Sequence, residues 1–165
     1  MDEQNRVGPG ASDTALNAAR SGDVARLRDA LDAGLPVAAR NEAGDSLLML
    51  AAYHGHDDAV SLLLERGADP NALNARGQHP LAGACYKGYT VIASRLLDAG
   101  ANPDGTTGAA RSPLMYAAMY NHAQVVRLLL ARGADANLRN TDGERALDLA
   151  LQMRAVHTIP LLEDR

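Results

Sequence analysis

Phenylalanine and tryptophan are absent from this 165-residue chain, and tyrosine occurs five times. A single compact core of that size normally uses several large rings to fill space. The apolar residues are instead 32 Ala and 24 Leu, which suit many helices packed at close range. Cys85 is the one cysteine, so an internal disulfide framework is excluded and a reducing compartment is compatible. No apolar run approaches the ~18 residues that a membrane span requires. The opening MDEQNRVGPGAS lacks the apolar stretch of a secretory signal, so a cytoplasmic location is expected. Lysine is nearly missing too: Lys87 stands against 15 Arg, a skew that reads as genome composition, of bacterial type. The net charge is −4, which gives no electrostatic support to nucleic-acid or anionic-membrane binding. With 47% apolar and 22% charged residues, the composition is globular rather than disordered.

What is present is a repeat. Gly34, Gly67, Gly100 and Gly133 follow one another at intervals of 33 residues, as do Leu31, Leu64, Leu97 and Leu130. Ala18, Ala51, Ala84, Ala117 and Ala150 hold the same interval five times running. Each unit reads as two helices and a turn. Ser46 is placed to cap a first helix, and Pro80 and Pro113 fall at a first helical position, where a missing N–H costs nothing. Gly55 and Gly88 end the first helix. Val60, Leu63 and Leu64 then recur at helical spacing, and Gly67, Gly100 and Gly133 stop the second helix.

These residues resemble the ankyrin repeat, above all in SLLMLAAYHGH at 46–56, LLLERGADPN at 62–71 and LLLARGADAN at 128–137. The resemblance covers roughly residues 12–165 as units 12–40, 41–73, 74–106, 107–139 and 140–165, with 1–11 read as a disordered tail. It implies an all-α solenoid of about five helix-turn-helix units with short β-turn fingers. The texture is similar to the short free-standing ankyrin proteins of bacteria. Several positions depart from the family pattern. Met49, Ala82, Met115 and Asp148 fill its His slot, so the usual Thr–His network is absent or altered. The fourth turn, 106–111, has Ala where a turn glycine belongs. The last unit has Arg154 in place of the inter-helix glycine and Pro160 inside its second helix, which is therefore expected to start near Thr158, capped by it.

Little here points to chemistry. Cys85 sits in a slot otherwise held by Ala19, Ala52 and Ala118, the register of a small buried residue. His54-Gly55-His56 followed by Asp57-Asp58 offers two ligands across a turn without a third in register, a weak metal site. His79 lies in the capping slot and His157 in the terminal unit, both as structural or surface residues. No phosphate loop, dinucleotide fingerprint or nucleophile elbow is present. Catalytic residues, cofactor and metal are all expected to be none, and the chain is read as no enzyme.

The resemblance implies a concave face built from the turn tips and the exposed ends of the first helices. The two residues after each Ala-Ala pair are Arg20-Ser21, Tyr53-His54, Tyr86-Lys87, Met119-Tyr120 and Gln152-Met153. Three of the five tyrosines and the one lysine fall in this column, with two of the five Met. Tyr, Met and Arg are enriched at interface cores. The expected partner-binding set is therefore Tyr53, His54, Tyr86, Lys87, Met119 and Tyr120, with Arg40, Arg76, Gln78 and Arg111 at the turn tips. Tyr116 borders it from the slot that Leu50 and Gly83 occupy elsewhere. The function expected is a non-catalytic adaptor, inhibitor or accessory protein that binds another protein. The bacterial resemblance implies roles such as assisting an oxidative-stress enzyme or neutralising a toxin. The alternatives are a metal- or small-ligand-responsive regulator using His54 and His56, and, last, an enzyme.

Overall fold

Helices as short as these are marginal in water by themselves, so each must gain its stability from the next. The computed structural model of the protein describes residues 10–105 and 111–163. Five helix pairs follow in order: α1 (Ala11–Ser21) and α2 (Val24–Asp32), α3 (Leu47–His54) and α4 (Asp57–Glu65), α5 (Pro80–Lys87) and α6 (Thr90–Asp98), α7 (Pro113–Met119) and α8 (Ala123–Ala131), α9 (Ala146–Gln152) and α10 (Ile159–Leu162). The odd-numbered helices pack in sequence on one another, and the even-numbered ones form a looser outer row. Extended structure among the described residues is limited to one antiparallel bridge, Arg40 with Ser46. This is the all-α ankyrin solenoid expected from the repeat.

The repeating alanines explain the close inner row. Ala51, Ala84, Ala117 and Ala150 are fully buried between neighbouring inner helices. In the outer row Leu63, Leu96 and Leu129 fill the same place in consecutive units and are fully buried as well. Both sets belong to one continuous apolar core. Helix starts are as the sequence implies in two units. Ser46 Oγ accepts from the Met49 N–H at 3.1 Å, and Ser112 Oγ from that of Met115 at 3.3 Å. Pro80 and Pro113 open their helices.

Outside the core, ion pairs step along the outer helices. Arg66 meets Asp32, Arg95 meets Asp57 and Arg132 meets Asp98, each at 2.7 Å and each joining one unit to the next. All are substantially exposed, so each contributes at most about 1 kcal/mol. At the turn within a pair, later units grip earlier ones. The His122 ring lies where a Cβ on Gly88 would sit, 2.5 Å from Nδ1, and Gly88 has φ +78°. Its Nε2 lies 3.0 Å from the Tyr86 carbonyl oxygen. His56 repeats this against Gly22, with Nε2 2.9 Å from the Arg20 carbonyl.

Some expectations need correction. Helix α1 already begins at Ala11, where a tail was expected, because the Gly10 carbonyl accepts from both the N–H and the hydroxyl of Thr14. The rest of that segment, residues 1–9, lies outside the described residues, as do positions 106–110 of the fourth turn. Thr158 does precede α10, but its side chain does not cap it. The hydroxyl is fully buried and donates to the Ala118 carbonyl of the preceding unit at 2.9 Å. Packing against the neighbour outweighs the local cap there. Arg154 takes φ +54°, adopting without glycine the turn that Gly55 and Gly88 make elsewhere.

Candidate functional site

The last turns of α3, α5 and α7 carry the tyrosine column outward because the preceding Ala-Ala or Ala-Cys pair points into the core. The outcome is a continuous row of rings. Tyr53 and Tyr86 stack with centroids 6.1 Å apart and planes 12° from parallel. Tyr120 meets Tyr86 edge-on at 4.6 Å, and Tyr116 does so at 6.1 Å. Both ends of the row are open to solvent, Tyr53 being 39% and Tyr120 42% exposed, with Tyr86 half-buried between them. Lys87 Nζ lies 4.7 Å from the Tyr53 ring centre. Partial burial, then the hydrogen bond shared with Tyr86, raises the Tyr120 hydroxyl above its ordinary pKa.

His54 stands beside this row, edge-on to Tyr53 at 5.4 Å. Desolvation holds its imidazole below the ordinary value, helped by the charges of His56, Arg20 and Lys87. His54 and His56 stack at 6.4 Å, yet His56 Nε2 is already engaged by the Arg20 carbonyl. Among the described residues no three His, Cys, Asp or Glu side chains come together as a metal site. Cys85 is wholly buried, and desolvation pushes its thiol far above the ordinary range, which keeps it from acting as a thiolate.

The remaining members of the expected set divide. Arg76 and Gln78 line a hollow at the turn bases, together with Arg20, His54, Tyr53 and Tyr86. Arg40 is exposed but tied down, its Nη1 donating to the Gly44 carbonyl at 3.0 Å and to that of Leu73 in the next turn. Met119 turns toward the core and is half-buried there, outside the ring row. Arg111 is half-buried, and its charge reaches Tyr120 and Glu144.

A family model of ankyrin repeats in three copies matches residues 15–107, and another, of ankyrin repeats in many copies, matches residues 96–150. The chain belongs to the ankyrin-repeat family. A Pseudomonas aeruginosa protein named for its ankyrin repeats is 59% identical over 44 residues, 27% of this chain and 26% of that protein. A mitochondrial disaggregase of Bos taurus is 42% identical over 64 residues, 38% of this chain and 10% of that one. The matches thus span about a quarter and a tenth of these relatives. Ankyrin repeats serve generally as protein–protein interaction modules and are typically non-catalytic.

Two features of this ankyrin stack lie beyond the expected set. Asn41, Asn74 and Asn140 anchor the fingers, each side-chain oxygen accepting the backbone N–H four residues on at 2.8–2.9 Å. Asn74 also donates to Asp45 Oδ1 at 2.8 Å, joining two fingers. Their spacing by multiples of 33 residues is visible in the sequence and would have found them. His79 is the other. Only 3% exposed, it places Nε2 2.7 Å from the Gly105 carbonyl instead of capping α5.

Proposed function

We propose that the chain is a non-catalytic protein-binding module, acting as adaptor, inhibitor or accessory protein. It recognises its partner through the face made by the inner-helix ends and the turn bases. One observation carries this reading: Tyr53, Tyr86 and Tyr120 run as a half-exposed row across three consecutive units. Tyrosine offers large contact area with few rotatable bonds and a polar tip, the properties of interface anchors. The scaffold beneath is preformed, so little ordering entropy opposes association.

Replacing Tyr53, Tyr86 and Tyr120 together by Ala tests this, with melting and partner capture from the native cell measured side by side. A folded variant that captures nothing supports the reading. A variant that captures the same protein as the wild type overturns it.

A further inference from the structure

Each inner helix repeats one pair of positions facing the turn bases. In the three central ones it is Met49-Leu50 in α3, Ala82-Gly83 in α5 and Met115-Tyr116 in α7, and all of these but the buried Met115 line one hollow. The middle pair has almost no side chain, and beside it the groove deepens into a hollow of about 500 Å³. Leu50 and Tyr53 wall it from one unit, Tyr86 and Tyr116 from the next two.

The backbone does not require glycine there. Gly83 lies inside α5 with no left-handed φ, and the three atoms nearest to a Cβ there all belong to Tyr53, at 3.5–3.9 Å, ordinary contact. Glycine in a helix interior is about 1 kcal/mol worse than alanine. The third unit therefore gives up helix stability and packing volume beside a hollow that Tyr53, Tyr86 and Tyr116 line.

The rim has its own chemistry. Arg20 and Arg76 line the hollow, and Lys87 lies over two of its ring walls. None of the three is ion-paired among the described residues. The carboxylate at the rim, Asp45, has both oxygens engaged by the amides of Asn41 and Asn74. A chain of net charge −4 thus presents a locally cationic mouth. His79 completes the wall, its buried Nδ1 lacking a hydrogen-bond donor among the described residues.

We infer that the hollow over Ala82 and Gly83 is a socket for an aromatic side chain of a partner protein, on a segment whose neighbouring carboxylates meet Arg20, Arg76 and Lys87. This deepens the reading above and rests on it. Tyrosine walls favour ring against ring, and the unpaired cations select acidic flanks and reject basic ones.

A random short-peptide display library selected on the full chain tests the inference. Peptides with Trp, Tyr or Phe beside Asp or Glu are expected to be enriched. A synthetic Trp-containing winner then reports its own burial by fluorescence, since the protein has no Trp. Gly83→Leu, which places in this unit the residue that unit two has at Leu50, is expected to weaken binding by about tenfold or more while the protein melts no lower. Arg20→Glu with Arg76→Glu, a surface change independent of the helix, is expected to do the same. No enrichment, enrichment without acidic flanks, or unchanged affinity in either variant overturns the socket. Binding kept in Gly83→Leu but lost in the triple tyrosine variant overturns the socket while leaving the tyrosine face standing. Binding indifferent to both overturns the two together.

Discussion

The ammonium of Lys87 stands 4.7 Å from the ring centre of Tyr53, a residue of the preceding unit, and 5.6 Å from that of Tyr86. One cation thereby sits over two stacked faces and ties unit three to unit two. At so exposed a site the attraction contributes about 0.5–1 kcal/mol. Lys87→Gln is expected to lower unfolding stability by that amount, with Lys87→Arg retaining it, as urea titration would show. A loss well above this range would mean that Lys87 does more than cover the rings.

Ala84→Leu is expected to damage the fold more than Tyr86→Ala, although the second removes far more atoms. Ala84 is fully buried where α5 abuts its neighbours, so added volume overpacks the row at a cost of about 1–3 kcal/mol. Tyr86 is half-buried at the surface. Equal melting temperatures for the two variants would contradict the register on which the site is built.

Gly88→Ala is expected to destabilise for two additive reasons. The residue has φ +78°, and the new Cβ would lie 2.5 Å from His122 Nδ1. Strained backbone of this kind costs about 1–3 kcal/mol. His122→Ala in the same background should recover the steric part but not the conformational part, a difference that a double-mutant cycle measures.

His79 makes the stack acid-sensitive. Burial, opposed only by the Gly105 hydrogen bond, holds its imidazole below the ordinary value of 6.5. The folded chain therefore takes up a proton less readily than the unfolded one. Stability is fully present above pH 6.5, falls as pH drops through the interval down to the folded value, and levels off below it. His54 is lowered too and adds to the slope. His79→Ser, the residue that units two and four have as Ser46 and Ser112, is expected to flatten melting temperature against pH in this interval. An unaltered slope would assign the sensitivity elsewhere.

Much of the fold is legible in the chain because periodic residues meet periodic needs. Pro80, Gly55 and the alanine series each answer a local steric demand that recurs in every unit. The ring row is legible in part: Tyr53 and Tyr86 share one register, whereas Tyr120 stands one residue past it, in the slot of His54 and Lys87, and Met119 holds the register itself. Contacts that break the period are not. Arg95 reaches Asp57 across 38 residues, and the Thr158 hydroxyl finds Ala118 across 40. Arg40 illustrates another limit: its position at a turn tip is readable, but its attachment to the Leu73 carbonyl depends on how closely two fingers approach. The hollow escaped because it is a difference between units, Ala82-Gly83 against Met49-Leu50, rather than something the units share.

The imidazole grips at the inter-helix turns all run one way, from a ring in the later unit to a carbonyl in the earlier one. The array consequently has polarity, and its two ends are not equivalent to a protease. Peeling from the C-terminal side removes the donor and leaves a carbonyl that water satisfies at once. Peeling from the N-terminal side strips the acceptor from a ring that stays held in place, so trimming should advance more readily from the C-terminal end.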